Sequence, residues 1–201
     1  MRHVTVLNEI VKFRGIPTLA TIRSQSEGGQ KELRERKRLD LFKAIAPHVD
    51  AIDIELRSLE IREEVLALTQ AAGKLRVVSF HDFQWTPNFD TLMGIVDEAK
   101  SIGADIVKIA TQANSDADVA TLARLLLQRR DANLIVIGMG PAGVKSRVFF
   151  PALGSLMTFA SLGQATAPGQ LPIKEMLQEL RVYYPAFNEK KIIDLQIMEA
   201  I

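Results

Sequence analysis

With 201 residues, 25 Lys and Arg against 24 Asp and Glu, 47% hydrophobic residues and no cysteine, the chain is sized for one well-cored domain. A net charge of +1 provides no broad field for nucleic acid or a membrane surface, so any anion site must be built from a few placed cations. Zero cysteines exclude disulfides, thiolate zinc sites and a cysteine nucleophile. The start, MRHVTVLNEIVKFRG, scatters charge through its apolar residues, and no apolar run approaches the ~18 residues of a spanning helix, so a cytoplasmic protein is expected.

Six short runs rich in β-branched residues read as strands: 17–23 (PTLATIR), 51–57 (AIDIELR), 75–83 (LRVVSFHDF), 105–111 (DIVKIAT), 133–140 (NLIVIGMG) and 156–163 (LMTFASLG). Their starts lie roughly 23 to 34 residues apart, the length of a strand, a loop and a crossover helix, which predicts parallel strands in an α/β fold. The gaps carry helical periodicity: Leu33, Leu41, Phe42 and Ile45, then Ile61, Val65, Leu66 and Leu68, then Leu92, Ile95, Val96 and Ala99, then Val119, Leu122, Leu125 and Leu126. Asn88 and Ser115 stand where N-caps belong, and Gly73 and Gly103 where a chain leaves a helix.

The stretch KELRERKRLD at 31–40 mixes signs too evenly for a nucleic-acid patch and reads as the solvated face of a helix with i, i+4 pairs. Ile192, Ile193, Leu195, Ile197, Met198 and Ile201 give the ending its own apolar set, expected as a short helix over 186–201 appended to a single domain over 1–185.

In parallel α/β folds functional groups gather at the carboxyl ends of strands. Arg23, Glu55 and Arg57, His81 and Asp82, and Met139 with Gly140 all close predicted strands, while Lys108 interrupts the apolar run DIVKIA. Placing a lysine inside a barrel costs several kcal/mol unless it is paired or neutral. Two readings stay open: a structural lysine that snorkels out or pairs with a core carboxylate such as Asp53 or Glu55, or a desolvated amine that attacks a ketone to form a Schiff base. His81 is the one histidine at a strand end and the natural proton shuttle, with Glu27 available to fix its tautomer; His3 and His48 read as surface or packing residues. Gly28-Gly29 and Gly138, Gly140 and Gly143 lack the spacing of phosphate-binding loops, and read as permitting tight turns and close backbone approach to a small ligand. Arg147 suits a carboxylate and Gln170 a hydroxyl or carbonyl; Trp85, Met139 and Phe159 read as core or pocket lining, and no metal-ligand cluster is visible.

Seven segments together, TIRSQSEGG at 21–29, DIEL at 53–56, SFHDFQWTP at 79–87, GADIVKIA at 103–110, MGPAGVKSR at 139–147, GSLMTFA at 154–160 and APGQ at 167–170, resemble type I 3-dehydroquinate dehydratase in its own order. The resemblance implies a (β/α)8 TIM-barrel lyase of the shikimate pathway, removing water from 3-dehydroquinate by syn elimination, with no external cofactor. It further implies Lys108 as the Schiff-base lysine, His81 as acid and base, and Glu27 as its orienting partner. Arg147 would bind the substrate carboxylate, Arg23, Gln170, Thr166 and Ala167 its hydroxyls or carboxylate, and Met139 and Phe159 would line the pocket. Its partner would be this small molecule, with neither nucleic acid nor membrane involved, and a homodimer stays open because the family often dimerises. Two departures stand out. Thr166 occupies a position where serine is common, and two strands, the second ending in a substrate-binding Glu-x-Arg, precede TIR in the family. By chain order Glu55-Leu56-Arg57 is not that pair. Six strands cannot close an eight-stranded barrel. A lacking upstream segment, with 4–12 as the helix after the second strand, is preferred over a gap covered by a neighbour or the tail, and over a decayed, inactive relative. Another Schiff-base aldolase-type lyase is the remaining alternative, disfavoured by HDF and APGQ.

Overall fold

A computed structural model describes residues 17–184; the expected helix over 4–12 and the tail over 186–201 lie outside them. Five parallel strands, β1 (Leu19–Thr21), β2 (Ala51–Glu55), β3 (Leu75–Asp82), β4 (Ile106–Gln112) and β5 (Leu134–Met139), lie side by side in chain order. Helices α1 (Glu35–Ile45), α2 (Arg62–Ala71), α3 (Phe89–Ser101) and α4 (Asp116–Gln128) make the crossovers, and α5 (Gly140–Leu153) and α6 (Ile173–Tyr183) follow β5. Asn88 accepts a hydrogen bond from the Thr91 amide, and Ser115 forms a capping box with Asp118, so α3 and α4 begin where the caps predict. Gly73 and Gly103 leave α2 and α3 with φ of +67° and +95°, a backbone state that favours glycine.

The strand period of two divides each strand between two cores. Ala20, Ile52, Ile54, Val78, Phe80, Val107, Ile109, Leu134 and Val136 face the helices in one large cluster with Phe42, Val65, Leu92 and Leu122. The alternate positions form a second, smaller cluster of Ala51, Val77, Ile106, Ala110, Ile135, Ile137 and Met139. By the same parity Asp53, Ser79, His81 and Lys108 belong to this second face and meet in one interior, whereas Arg76 and Thr111 fall on the helix-facing positions.

Three expectations need correcting. Residues 156–163 form no strand; only Ser161 makes an isolated parallel bridge, to Pro172. The free edge of β5 is already occupied: the Val136 amide donates to Ser155 Oγ (3.0 Å), the Gly138 amide to Ser146 Oγ (2.8 Å), and the Leu156 amide to the Leu134 carbonyl (2.8 Å). Two serine side chains thus take the bonds a sixth strand would make. Leu33 precedes α1 instead of joining its apolar stripe, and lines a cavity. Arg38 leaves the solvated face expected for 31–40: it shares the buried face of α1 with Leu39 and Phe42 and is 1% exposed.

Candidate active site

A cavity of about 560 Å³ opens on the second face, at the carboxyl ends of the strands. Arg23, Glu27, His81, Lys108, Met139, Arg147, Phe159, Thr166, Ala167 and Gln170 all line it. They come from six separate segments, brought together by strand parity, the tight turn after β1, the start of α5 and the loop before α6. Trp85 does not join them: it is 56% exposed and lines another surface cleft, while Phe83 borders the cavity instead.

Lys108 stands in mid-strand, its Nζ donating to Asp53 Oδ2 at 3.1 Å and lying 4.8 Å from the Phe159 ring centroid. The ion pair weighed from the sequence therefore exists, on a lysine that also borders the cavity. Asp53 is fully buried and shared: Arg23 Nη2 donates to the same oxygen (2.7 Å), and Ser79 Oγ to the other (2.5 Å). Burial alone would raise the Asp53 carboxyl, but Lys108, Arg23 and His81 outweigh it and hold it well below the carboxylate range. Arg23 also donates to Glu55 (3.0 Å), and these two anions raise its pKa against the effect of burial.

His81 and Glu27 form a second buried unit. The His81 Nδ1 lies 2.9 Å from Glu27 Oε2, which also accepts the His81 backbone amide at 3.0 Å. Burial, reinforced by Arg23 and Lys108, pushes the imidazole well below its usual value, so it is neutral at pH 7. Burial and the nearby Glu55 push Glu27 up to about 7. With Glu27 ionised, Nδ1–H donates to it and Nε2 is left with a free lone pair, the form a base needs.

Arg147 is 2% exposed and has no carboxylate partner among the described residues. Its Nη1 and Nη2 donate to the carbonyls of Phe159 (3.3 Å) and Pro168 (3.0 Å), its Nε is unpaired, and burial lowers its pKa to about 10. Glu27 Oε1 is likewise buried and unpaired. The Gln170 carbonyl oxygen accepts from the Thr166 amide (2.8 Å) and hydroxyl (3.1 Å), which closes the 166–170 loop and turns the Gln170 amide group into a donor.

The glycines allow tight turns at Gly28 and Gly140, with φ of +91° and +76°, but the close approaches are to the protein itself. A Cβ on Gly29 would lie 2.3 Å from the Arg23 carbonyl, and one on Gly143 would lie 2.4 Å from the Gly138 backbone. Gly143 thus lets α5 press onto β5, which sets the position of Arg147 one turn later.

A parallel sheet with a buried lysine in mid-strand, a histidine–carboxylate pair and a cavity arginine without a carboxylate partner is the arrangement expected of a TIM-barrel-type lyase. The profile of the family described as Type I 3-dehydroquinase matches residues 2–186. A 3-dehydroquinate dehydratase from Thermodesulfovibrio yellowstonii is 36% identical over 170 residues, covering 83% of this chain and 73% of that one. The crystal structure of 3-dehydroquinate dehydratase from Geobacillus kaustophilus superposes with a TM-score of 0.84 at 34% identity, over 91% of this chain and 75% of its own. The type I enzyme from Clostridium difficile with covalently modified comenic acid gives 0.83 at 30%, over the same shares. The chain belongs to the type I 3-dehydroquinase family, and its five described strands are part of that barrel.

The residues that sequence reasoning undervalued are Asp53, Ser79, Glu55 and Arg38. Asp53 appeared only as an alternative partner for Lys108, and Glu55 as the other such partner, as a strand-end group and as part of a Glu-x-Arg set rejected by chain order. Their spacing of two within an otherwise apolar strand was the available signal, because it puts both on one face.

Proposed function

We propose that the chain converts 3-dehydroquinate to 3-dehydroshikimate through an imine on Lys108. The observation that carries this reading is that Lys108, the His81–Glu27 pair and the carboxylate-free Arg147 border one cavity. Lys108 passes a proton to the substrate ketone oxygen as its amine adds to the carbonyl carbon, and that oxygen leaves as water, so the proton count closes on a protonated imine. The imine acidifies the adjacent carbon, and His81 Nε2 takes a proton from it, giving an enamine. The electron pair then returns through the enamine, breaking the bond to the β-hydroxyl. His81 returns its proton to that oxygen, which leaves as a second water. Hydrolysis of the new imine consumes one water and restores Lys108, so the net loss is one.

Arg147 is suited to the substrate carboxylate, since a guanidinium offers paired donors and this one is already desolvated. The Gln170 amide and Arg23 are placed for hydroxyls, with Thr166 and Ala167 on the closing loop and Met139 and Phe159 as apolar walls. The reaction needs no external cofactor and suits an aromatic-precursor pathway in the cytoplasm; no helix among the described residues is long and apolar enough to cross a membrane. The test is to add 3-dehydroquinate, reduce with borohydride and locate the mass adduct. A stable adduct on Lys108, with enone absorbance appearing in unreduced samples, is expected. A folded protein yielding neither overturns the reading.

A further inference from the structure

Two buried charged residues take no part in that chemistry and do not border the cavity. Arg38 reaches from α1 to the carboxyl ends of β1 and β2, where its Nε donates to the Ile22 carbonyl (2.9 Å), its Nη1 to Glu35 (2.6 Å) and Ser58 (3.0 Å), and its Nη2 to Glu55 Oε2. Glu55 accepts a further bond on Oε2 from Ser58 Oγ (2.9 Å). Its Oε1 faces the other way and accepts from Arg23 Nη1 (3.0 Å) and the Ser24 amide (2.8 Å). Arg23 passes the connection inward, since its Nη2 shares Asp53 Oδ2 with Lys108 Nζ.

We propose that Arg38 and Glu55 are positioning residues for Lys108, fixing Arg23 so that only its Nη2 reaches Asp53 and Oδ2 stays shared with the lysine, while Ser79 holds Oδ1. This inference rests on the imine reading above. The physical argument is competition for acceptors. Arg23 has two anionic partners, and with Glu55 in place its two Nη atoms are split between Glu55 and Asp53. An arginine deprived of one carboxylate turns its fork onto the other, because the bidentate geometry is the stronger one. Asp53 would then be drawn to Arg23, and Nζ would lose its anchor on the strand face. Arg38 enters because Glu55 is 1% exposed and needs a second cation to keep its carboxylate plane turned.

The same arrangement has an electrostatic consequence at the second unit. Glu27 is faced by Arg23 from the loop after β1, by Glu55 from β2, by Arg57 just beyond β2 and by His81 from β3. Burial does most to oppose ionisation of Glu27, and of these groups only Glu55 adds to it, so Glu55 also raises the pH at which the His81–Glu27 pair becomes competent.

The test uses the full chain with three substitutions. Glu55→Gln keeps the shape and removes the charge, Arg38→Met keeps much of the volume and removes the fork, and Arg38→Lys restores the charge alone. For Glu55→Gln we expect kcat to fall about ten- to a hundredfold, with KM within about threefold and the acid limb of the pH profile moved to lower pH. Arg38→Met should lose kcat similarly, and Arg38→Lys should recover part of the loss. A second measurement needs no turnover: the rate at which formaldehyde and borohydride methylate Lys108, read by peptide mass. A lysine released from Asp53 becomes more accessible, so Glu55→Gln and Arg38→Met should raise that rate at least threefold. Should wild-type protein give no adduct with 3-dehydroquinate, the functional reading fails while the methylation rates still decide the positioning. Folded variants with wild-type kcat, acid limb and methylation rate would overturn the proposal. Should Glu55→Gln not fold, Arg38→Lys and Arg38→Met carry the same comparison.

Discussion

Replacing Arg147 by methionine separates binding from stability in a way that the structure makes quantitative. Burial depresses the guanidinium to about 10 from the usual 12.5, a penalty on its charged form of at most about 3 kcal/mol, since water in the cavity screens part of it. Against this stand two hydrogen bonds to the carbonyls of Phe159 and Pro168, each contributing about 1 kcal/mol and leaving an acceptor unpaired when removed. The two effects nearly cancel. Arg147→Met should therefore shift stability by no more than about 2 kcal/mol either way, or about 4 to 8 °C in Tm for a domain of this size. Activity should respond quite differently. Two charge-assisted bonds to a substrate carboxylate at about 1.5–3 kcal/mol each correspond to a loss in kcat/KM of between about a hundred- and ten-thousandfold. The assay pairs thermal denaturation with continuous enone absorbance, and adds a carboxylate-bearing product analogue that should raise Tm in the wild type alone. A variant that keeps kcat/KM within threefold, or whose Tm falls by more than about 15 °C, would refute the assignment of Arg147 to the substrate carboxylate.

The remaining predictions concern the other groups of the site. His81→Ala should still form a borohydride-trappable imine on Lys108 while losing about a hundred- to ten-thousandfold in turnover; equal loss of both would move His81 to folding or binding. Because Glu27 is raised to about 7 and must be ionised to hold Nδ1–H, kcat/KM should climb about tenfold per pH unit below pH 7 and level off above it. Glu27→Gln should remove that limb, and a rate that falls as pH rises from 5 to 7 would contradict the mechanism. Gly143→Ala sets a Cβ 2.4 Å from the Gly138 backbone, which cannot give way as a side chain would. It should cost about 1–3 kcal/mol in urea denaturation despite alanine's better helix propensity, and an unchanged midpoint would show that α5 need not press on β5.

What could be read from the sequence was whatever depends on period and order. Alternation in AIDIE and DIVKIA is enough to put Asp53 and Lys108 on one face, and the order of the strands brings that face together. The run at 156–163 misled because its composition suits a strand, whereas its fate was decided by Ser155 and Ser146, whose hydroxyls reach the β5 edge from outside any periodic pattern. Arg38 was lost for the opposite reason. Its neighbours in sequence are charged, and only its spacing of four from Phe42 hints at a buried position; the partner that makes burial tolerable, Glu55, is set by packing of α1 on β2. Glycines were legible as glycines but not in purpose, since Gly29 and Gly143 make room for neighbouring backbone.

The interior charges divide into a group that is internally balanced and a group that is not, and this division locates the chemistry more sharply than burial does. Arg38, Glu35, Glu55, Arg23, Asp53 and Lys108 alternate in sign along one connected chain of hydrogen bonds and sum to zero. Such a chain fixes geometry while projecting little net field into the cavity. Arg147 and Glu27 stand outside it. Of the three buried, unpaired side-chain atoms among the described residues, two belong to these cavity-lining residues, Arg147 Nε and Glu27 Oε1. Unpaired polar atoms are costly in a folded protein unless something other than the protein completes them. A ligand with a carboxylate for Arg147 and a polar hydrogen for Glu27 would satisfy both at once, and the balanced chain beside them holds the Lys108 amine in position while it does so.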